Sequence, residues 1–205
     1  MNNRNPLYPV ILSVPKNSRN LLAGEKVSAL RHRAREALEI SAQKSGVVLG
    51  ELKKNKNGAP LPFNGIHWSL THKSKYVAAV ISPEQIGIDM EEIRPCSTPL
   101  FNKIADRSEW SLIENNKFIS FFRYWTSKEA TLKAVGTGLA ELSKCHIESV
   151  IDDVHLIAKH RGVRFHIEHH FFKGHIASIV KNSFHVIWTL QDENNSTASS
   201  KLQTV

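Results

Sequence analysis

Tyr124–Gly138, YWTSKEATLKAVGTG, is a run of strong helix formers closed by glycines at 136 and 138. At 3.6 residues per turn, Phe118, Phe122, Trp125, Glu129 and Leu132 share one stripe, so an acid stands where the period asks for a hydrophobe. Lys133 follows Glu129 by one turn in the favourable order, and taken alone this pair reads as a helix-surface salt bridge worth about 0.2–0.5 kcal/mol. A second acidic stretch upstream, Gly87-Ile88-Asp89-Met90-Glu91, shifts that balance. There Ile86, Ile88 and Met90 alternate with Gly87, Asp89 and Glu91, the period of a half-buried strand, so Asp89 and Glu91 point the same way. A lone pair of this kind is a solvent face at a strand end. With Glu129 as a third carboxylate on an apolar stripe, a shared hard cation such as Mg²⁺ is the better explanation, because like charges on one strand face repel unless a cation lies between them. Such an ion completes its shell with water and substrate phosphate, so the expected substrate is a phosphate ester or anhydride, with Lys128 and Lys133 supplying cations beside it.

Outward from these stretches, Tyr8–Val14 reads as a strand, and Glu25–Ser45 as an amphipathic helix with Ala29, Leu30, Ala37, Leu38 and Ile40 toward the core and a basic opposite face. Gly58–Pro62 is a turn, and His67–Leu70, Tyr76–Ser82 and Ile86–Met90 read as strands of a first sheet, with turns at His72–Lys75 and Pro83-Glu84. Pro95–Pro99 is the expected internal boundary. Beyond it, Phe101–Ile113 and Lys117–Val135 read as helices, and Cys145–Val150, Val154–Lys159, Val163–Ile167, His175–Val180 and Phe184–Leu190 as strands. A helix followed by antiparallel strands is thus read twice, and a polar tail, 191–205, is too poor in apolar residues to hold structure.

The chain has 205 residues, enough for one domain or two small lobes sharing a core. Cys96 and Cys145 form neither a CxxC nor a ligand cluster, which suits a reducing compartment, and MNNRNPLYPVILSV has too short an apolar stretch for a signal peptide. No membrane-spanning run occurs, so the expectation is a cytoplasmic protein with no membrane partner. A net charge of +8 points to an anionic partner: nucleic acid, a phosphorylated cofactor or an acidic protein. Basic clusters lie at Arg31-His32-Arg33-Ala34-Arg35 and Lys53-Lys54-Asn55-Lys56, without the aromatic signature or zinc-finger spacing of common nucleic-acid binders.

Gly87-Ile88-Asp89-Met90-Glu91 followed by Trp125-Thr126-Ser127-Lys128-Glu129-Ala130-Thr131-Leu132-Lys133 resembles the paired motifs of the 4′-phosphopantetheinyl transferases, in particular the monomeric surfactin-synthetase-activating type. Ser69-Leu70-Thr71-His72 is similar to that family's Asn-x-Ser-His, and Gly136-Thr137-Gly138-Leu139 to its following glycine turn. The resemblance implies an α+β fold of two similar α/β halves related by a pseudo-two-fold, residues 1–97 and 98–190, with the cofactor between them; the twice-read pattern of helix then strands is compatible with it. It implies Mg²⁺-dependent transfer of the 4′-phosphopantetheine arm of coenzyme A to a serine of an acidic acyl or peptidyl carrier protein, releasing adenosine 3′,5′-bisphosphate. On it, Asp89, Glu91 and Glu129 hold Mg²⁺, Glu129 also accepts the serine proton, and Glu109 is a reserve base. Lys133 stabilises the leaving group, while Thr71, His72, Lys128 and one of Arg31 or Arg33 bind coenzyme A. Trp125 is either a core anchor or part of the signature. Gly58-Ala59-Pro60 stands where the family has Gly-Lys-Pro, so Lys53, Lys54 or Lys56 would have to fill the gap; Ser69 replaces asparagine, and Thr71 replaces serine with its hydroxyl kept. Two other readings of the same residues are a magnesium-dependent nuclease and a non-enzymatic basic module that binds nucleic acid.

Overall fold

The computed structural model describes residues 6–19, 21–113 and 117–192. In chain order the elements are β1 (Val10–Ser13), α1 (Lys16–Arg19), α2 (Ala23–Lys44), β2 (His67–His72), β3 (Tyr76–Ser82), β4 (Ile88–Glu92), α3 (Thr98–Ile104), α4 (Arg107–Trp110) and α5 (Lys117–Val135). A 3₁₀ turn (Leu139–Lys144) then leads into β5 (Cys145–Val150), β6 (His155–His160), β7 (Val163–Phe172), β8 (His175–Val180) and β9 (Thr189–Gln191). The fold is α+β. One sheet has the order β2-β3-β1-β9 and the other β4-β8-β7-β6-β5.

Alternation along the central strands makes the layers. In β3, Val77, Ala79 and Ile81 meet Leu30, Ala34, Ala37, Leu38 and Ala42 of α2, while Tyr76, Ala78 and Val80 face the other way. There they meet Ile88 and Met90 of β4 and Ala177 and Ile179 of β8, so the two sheets share an apolar layer. The opposite face of β8, through Ile176 and Val180, lies under α5. The order from outside to outside is therefore α2, first sheet, second sheet, α5. Of the α2 core residues expected, Leu30, Ala37 and Leu38 are buried and Ala29 and Ile40 are half-buried, while Ala34 inside the basic cluster is fully buried.

Three expectations change. Ile86–Met90 was assigned to the first sheet, but β4 is the edge of the second, antiparallel to β8 with Ile88 opposite Ile179 and Asp89 opposite Ser178. Gly87 explains the placement: a Cβ there would lie 1.8 Å from the Ala130 carbonyl oxygen, so only glycine lets this chain run against the backbone of α5. Phe184–Leu190 is not one strand of the second half. It makes a parallel bridge from Val186 to Leu7 and then becomes β9, which extends to Gln191 and pairs in parallel with β1 of the first sheet. The expected Phe101–Ile113 helix is two helices, broken at Ala105, whose backbone is extended. Asp106 restarts the chain by a capping box, accepting from the backbone N–H groups of Ser108 and Glu109 while Glu109 accepts from its own. The expected polar tail beyond residue 192 lies outside the described residues.

Candidate functional site

The closeness of Gly87 to Ala130 sets β4 directly beneath the middle of α5. The β4 alternation sends Ile88 and Met90 into the layer between the sheets and turns Asp89 and Glu91 toward α5, where Trp125, Glu129 and Lys133 follow at one-turn intervals. Asp89 is 3% exposed; its Oδ1 accepts from Lys133 Nζ at 2.8 Å and from Thr71 Oγ1 at 2.9 Å. Asp89 Oδ2 is buried with no hydrogen-bond partner. Lys133 Nζ also donates to the Ile88 carbonyl at 3.1 Å. Glu91 Oε1 accepts from Lys73 Nζ at 2.5 Å and from Trp125 Nε1 at 3.1 Å. Burial first, and then the charges of Asp89 and Glu91, push the Glu129 carboxyl above its ordinary pKa against the pull of Lys133 and Lys73; no hydrogen bond is among the influences on it. Burial alone would lower the Lys73 ammonium, but Asp89, Glu91 and Glu129 outweigh it and hold its pKa above the usual value.

The first sheet delivers its share through edge strand β2. Ser69, Thr71 and Lys73 alternate along β2 and its turn and meet β4 in step: Ser69 Oγ accepts from Ile88 N at 3.1 Å, Thr71 bonds Asp89, and Lys73 bonds Glu91. Lys75 continues the series to Glu92 at 2.6 Å. Two sheet edges that share no backbone ladder are thus joined by side chains.

Beside Glu129 and Lys133 opens a cleft of about 270 Å³, walled on one side by Lys54, Gly58 and Ala59 and on the other by Gly136 and Thr137. The Lys54–Pro60 hairpin is rigid at its tip, where Asn55 Oδ1 accepts from the backbone N–H groups of Asn57 and Ala59. Gly136, at φ 72°, closes the approach: a Cβ there would touch the Ala59 side chain at 3.5 Å. Lys54 is the lysine of its cluster that lines this cleft, its Nζ held 5.9 Å from the Trp68 ring centroid, whereas Lys53 pairs with Glu51. His72 ends β2 with part of its ring open to water, and the partial loss of water around the rest, followed by the charges of Lys133, Lys73 and Arg31, holds its pKa below the ordinary value. Of the two candidate arginines on α2, Arg31 is the one whose charge bears on His72. Arg33 turns inward instead, donating to the Ser13 carbonyl at 3.0 Å and pairing with Glu36. Beyond Glu91 and Trp125 a second groove carries Arg94, Leu100 and Phe121.

Lys128 and Glu109 are not brought to this place. One residue before Glu129 on α5, Lys128 points into the core, pairs with Glu109 Oε1 at 2.6 Å and donates to the Ile104 carbonyl at 2.6 Å, with both side chains nearly fully buried. Glu109 Oε1 also accepts from Ile147 N at 2.7 Å and Oε2 from Asp106 N at 3.1 Å. A base needs an open lone pair and a reachable substrate, and a coenzyme-binding lysine needs a free ammonium. The Lys128 ammonium is taken up by Glu109 and the Ile104 carbonyl, and the buried pair fastens α4 and β5 to α5. Thr71 donates its hydroxyl proton to Asp89 and is buried. Among the described residues, the three-ligand group gathered within 4.8 Å is Asp106, Glu109 and His146; Asp89, Glu91 and Glu129 are held further apart, with two lysines among them. Lys73 escapes the sequence reading, although its two-residue spacing from Thr71 was the signal that it shares a face with the site.

The model of the 4′-phosphopantetheinyl transferase superfamily matches residues 85–190. The chain is 32% identical over 91 residues to the 4′-phosphopantetheinyl transferase gsp of Aneurinibacillus migulanus, covering 42% of this chain and 38% of that protein. It is 39% identical over 93 residues to HetI of Nostoc sp., covering 41% and 38%, and 28% identical over 78 residues to Sfp of Bacillus subtilis, covering 36% and 35%. The matched part spans under two-fifths of the length of each of these relatives. It contains the glycine that admits β4 beneath α5 and both acidic stretches that this contact brings together, and the chain belongs to the 4′-phosphopantetheinyl transferase superfamily.

Proposed function

We propose that the chain transfers the 4′-phosphopantetheine arm of coenzyme A to a serine hydroxyl of an acidic acyl or peptidyl carrier protein, releasing adenosine 3′,5′-bisphosphate. The observation that carries this reading is the buried, unpartnered Asp89 Oδ2 beside the Glu129 carboxylate, at the edge of a cleft walled by a lysine hairpin and a glycine turn. A buried anionic oxygen without a donor is a costly arrangement unless a cation completes it, so the residues fit a divalent metal. The carboxylates of Asp89, Glu91 and Glu129 are the expected holders, and a bound Mg²⁺ would neutralise the pyrophosphate and favour the leaving group.

The remaining work falls to side chains. Lys133, anchored by Asp89 and the Ile88 carbonyl, presents a fixed ammonium to the charge that grows on phosphate oxygens as the serine attacks. Glu129, whose carboxyl is held above its ordinary pKa by burial and then by Asp89, is the expected acceptor of the serine proton. Lys54, which lines the cleft, and His72, on which the charge of Arg31 bears, are the groups expected to meet the nucleotide phosphates. The Arg94 groove beside Glu91 and Trp125, on a chain of charge +8, suits an acidic carrier. The free cysteines suit a cytoplasmic setting, and no described helix is long and apolar enough to cross a membrane.

Mass spectrometry of apo carrier proteins incubated with the chain, coenzyme A and Mg²⁺ tests the reading. A carrier heavier by one phosphopantetheine, formed only with coenzyme A present, is the expected result. Cleavage of DNA or RNA with no modified carrier would turn the same carboxylates into a nuclease centre.

A further inference from the structure

Beneath α5 the second sheet carries a polar row, only one member of which belongs to the acidic site. Asp89 of β4 stands opposite Ser178 of β8, and Ser178 stands opposite His169 of β7. Strand alternation turns all three toward α5, and all are buried, Ser178 completely and His169 to 3% exposure. His169 Nδ1 lies 2.8 Å from Ser178 Oγ, which lies 2.6 Å from Thr126 Oγ1 on α5. Thr126 Oγ1 in turn reaches the Phe122 carbonyl at 2.7 Å. Two buried nitrogens at the far end have no partner: His169 Nε2, and Nε of Arg123, one turn before Thr126 on α5.

Counting protons gives this chain a direction. A carbonyl can only accept, so the Phe122 contact exists only if the Thr126 hydroxyl donates its single proton there. Thr126 then accepts from Ser178, and Ser178, its own proton committed, accepts from His169 Nδ1–H. Only this arrangement satisfies all three contacts, and it leaves the ring neutral and bare on Nε2. Burial, followed by the charge of Arg123, keeps His169 neutral, and a guanidinium can only donate, so a bare lone pair is also the form that suits its unpaired N–H.

We infer that Thr126, Ser178 and His169 are positioning residues, a one-way hydrogen-bond chain that ties α5 to the strand position opposite Asp89 and so sets where Glu129 and Lys133 stand above that carboxylate. The role of those two side chains rests on the proposed function, whereas the means of holding them goes beyond it. Glu129 follows Thr126 by one turn, so a small rotation of α5 about its axis carries the carboxyl away from Asp89. Apolar contacts are non-directional, while a hydroxyl pair at 2.6 Å fixes both distance and angle.

The test has a spectroscopic and a kinetic arm, both on the full chain with folding checked by circular dichroism. Histidine-selective heteronuclear NMR of the parent at neutral pH should show His169 protonated on Nδ1 and bare on Nε2, with His169→Gln serving to assign the signal. Ser178→Ala should move the indole N–H resonance of Trp125, which reports the seat of α5 on Glu91, and leave that of Trp68, bonded to the Leu61 carbonyl, in place. Thr126→Val keeps the shape and removes the hydroxyl; it should lower kcat for carrier modification about tenfold with KM for coenzyme A within about threefold, and Thr126→Ser should stay within about twofold of the parent. A His169 that is charged, or protonated on Nε2, overturns the chain. So does a Trp125 signal that stays in place or moves together with that of Trp68 in folded Ser178→Ala, a Thr126→Ser as slow as Thr126→Val, or an effect that falls on KM alone. A parent that modifies no carrier overturns the transfer reading of the site, and the two NMR results then decide the chain by themselves.

Discussion

Helices α2 and α5 lie on their sheets in the same way, yet bury different chemistry. The buried face of α2 is Leu30, Ala34, Ala37, Leu38 and Ala42, with one hydroxyl, Ser41, that accepts from Ile81 N at 3.2 Å. The buried part of α5 mixes Phe121, Phe122, Tyr124 and Leu132 with Arg123, Thr126, Ser127, Lys128 and Thr131. Its hydroxyls are tolerated because they bond back along the helix: Thr126 to the Phe122 carbonyl at 2.7 Å, Ser127 to Arg123 at 2.6 Å and Thr131 to Ser127 at 2.8 Å. One helix closes a core, and the other carries charges at fixed positions and accepts a polar interior as the cost. Polar burial that adds little stability is expected where position matters more than free energy.

The contrast can be broken most strongly at the strand that serves α5. Asp89→Ala should lower turnover by about 10³-fold, read as holo carrier formed per minute, with the circular dichroism spectrum unchanged. Near-normal turnover in a folded variant would remove the metal from that position. Next in size is the buried ion pair. Lys128→Met strands the Glu109 carboxylate and should cost about 3–5 kcal/mol in urea unfolding, while Lys128→Met with Glu109→Leu recovers only part of it, because the Ile147 and Asp106 N–H groups and the Ile104 carbonyl lose their partners. Activity per folded molecule should stay within about threefold in the double variant; a collapse of activity there would return Glu109 to the chemistry. A cation on each helix gives a sharper comparison. Lys133→Ala on α5 should reduce kcat/KM by about 10²-fold through kcat, whereas Arg31→Ala on α2 should act on KM for coenzyme A alone, by about fivefold. Equal effects on kcat would erase the division of labour.

Acid should also find the α5 side first. His169 is fully buried on β7 beneath α5, its Nδ1 is 2.8 Å from Ser178 Oγ, and burial followed by the charges of Arg123 and His155 holds its pKa well below 6.5. The unfolded chain therefore takes up the proton first. Stability is complete above about 6.5 and is lost as pH falls below it toward the folded value, by at most about 1.4 kcal/mol per pH unit from this one group. His169→Gln should flatten that slope in urea midpoints measured from pH 7.5 down to about 5.5. The smallest effect belongs to the hairpin wall: Ala59→Lys should lower KM for coenzyme A by about fivefold, and truncating Lys54 should raise it by a similar factor. If neither moves KM, the hairpin does not touch the cofactor.

Local periods carried much of this into view from the sequence alone. α5 matches its expected bounds, and the shared direction of Asp89 and Glu91 follows from strand alternation. What was hidden depended on partners far along the chain. Nothing near Ile88 says that its neighbour is Ile179 of the second sheet, and nothing near Thr189 points to Val10. The break at Ala105 was legible in Asp106-x-x-Glu109, but helix propensity on both sides spoke for continuity. Lys128 and Glu129 are adjacent in sequence, so which of them enters the core depends on helix rotation, and that is fixed by the packing of β4 at Gly87.

The parallel pairing of β9 with β1 bears on how the molecule comes into being. During synthesis β1 emerges long before Thr189–Gln191, and until then one edge of its sheet lacks its partner. The first sheet therefore cannot finish before the second has been made, and its last ladder closes one of the longest loops in the chain. A nascent chain stalled short of that strand would hold an open edge that other chains can pair with, a hazard that ends only when β9 docks.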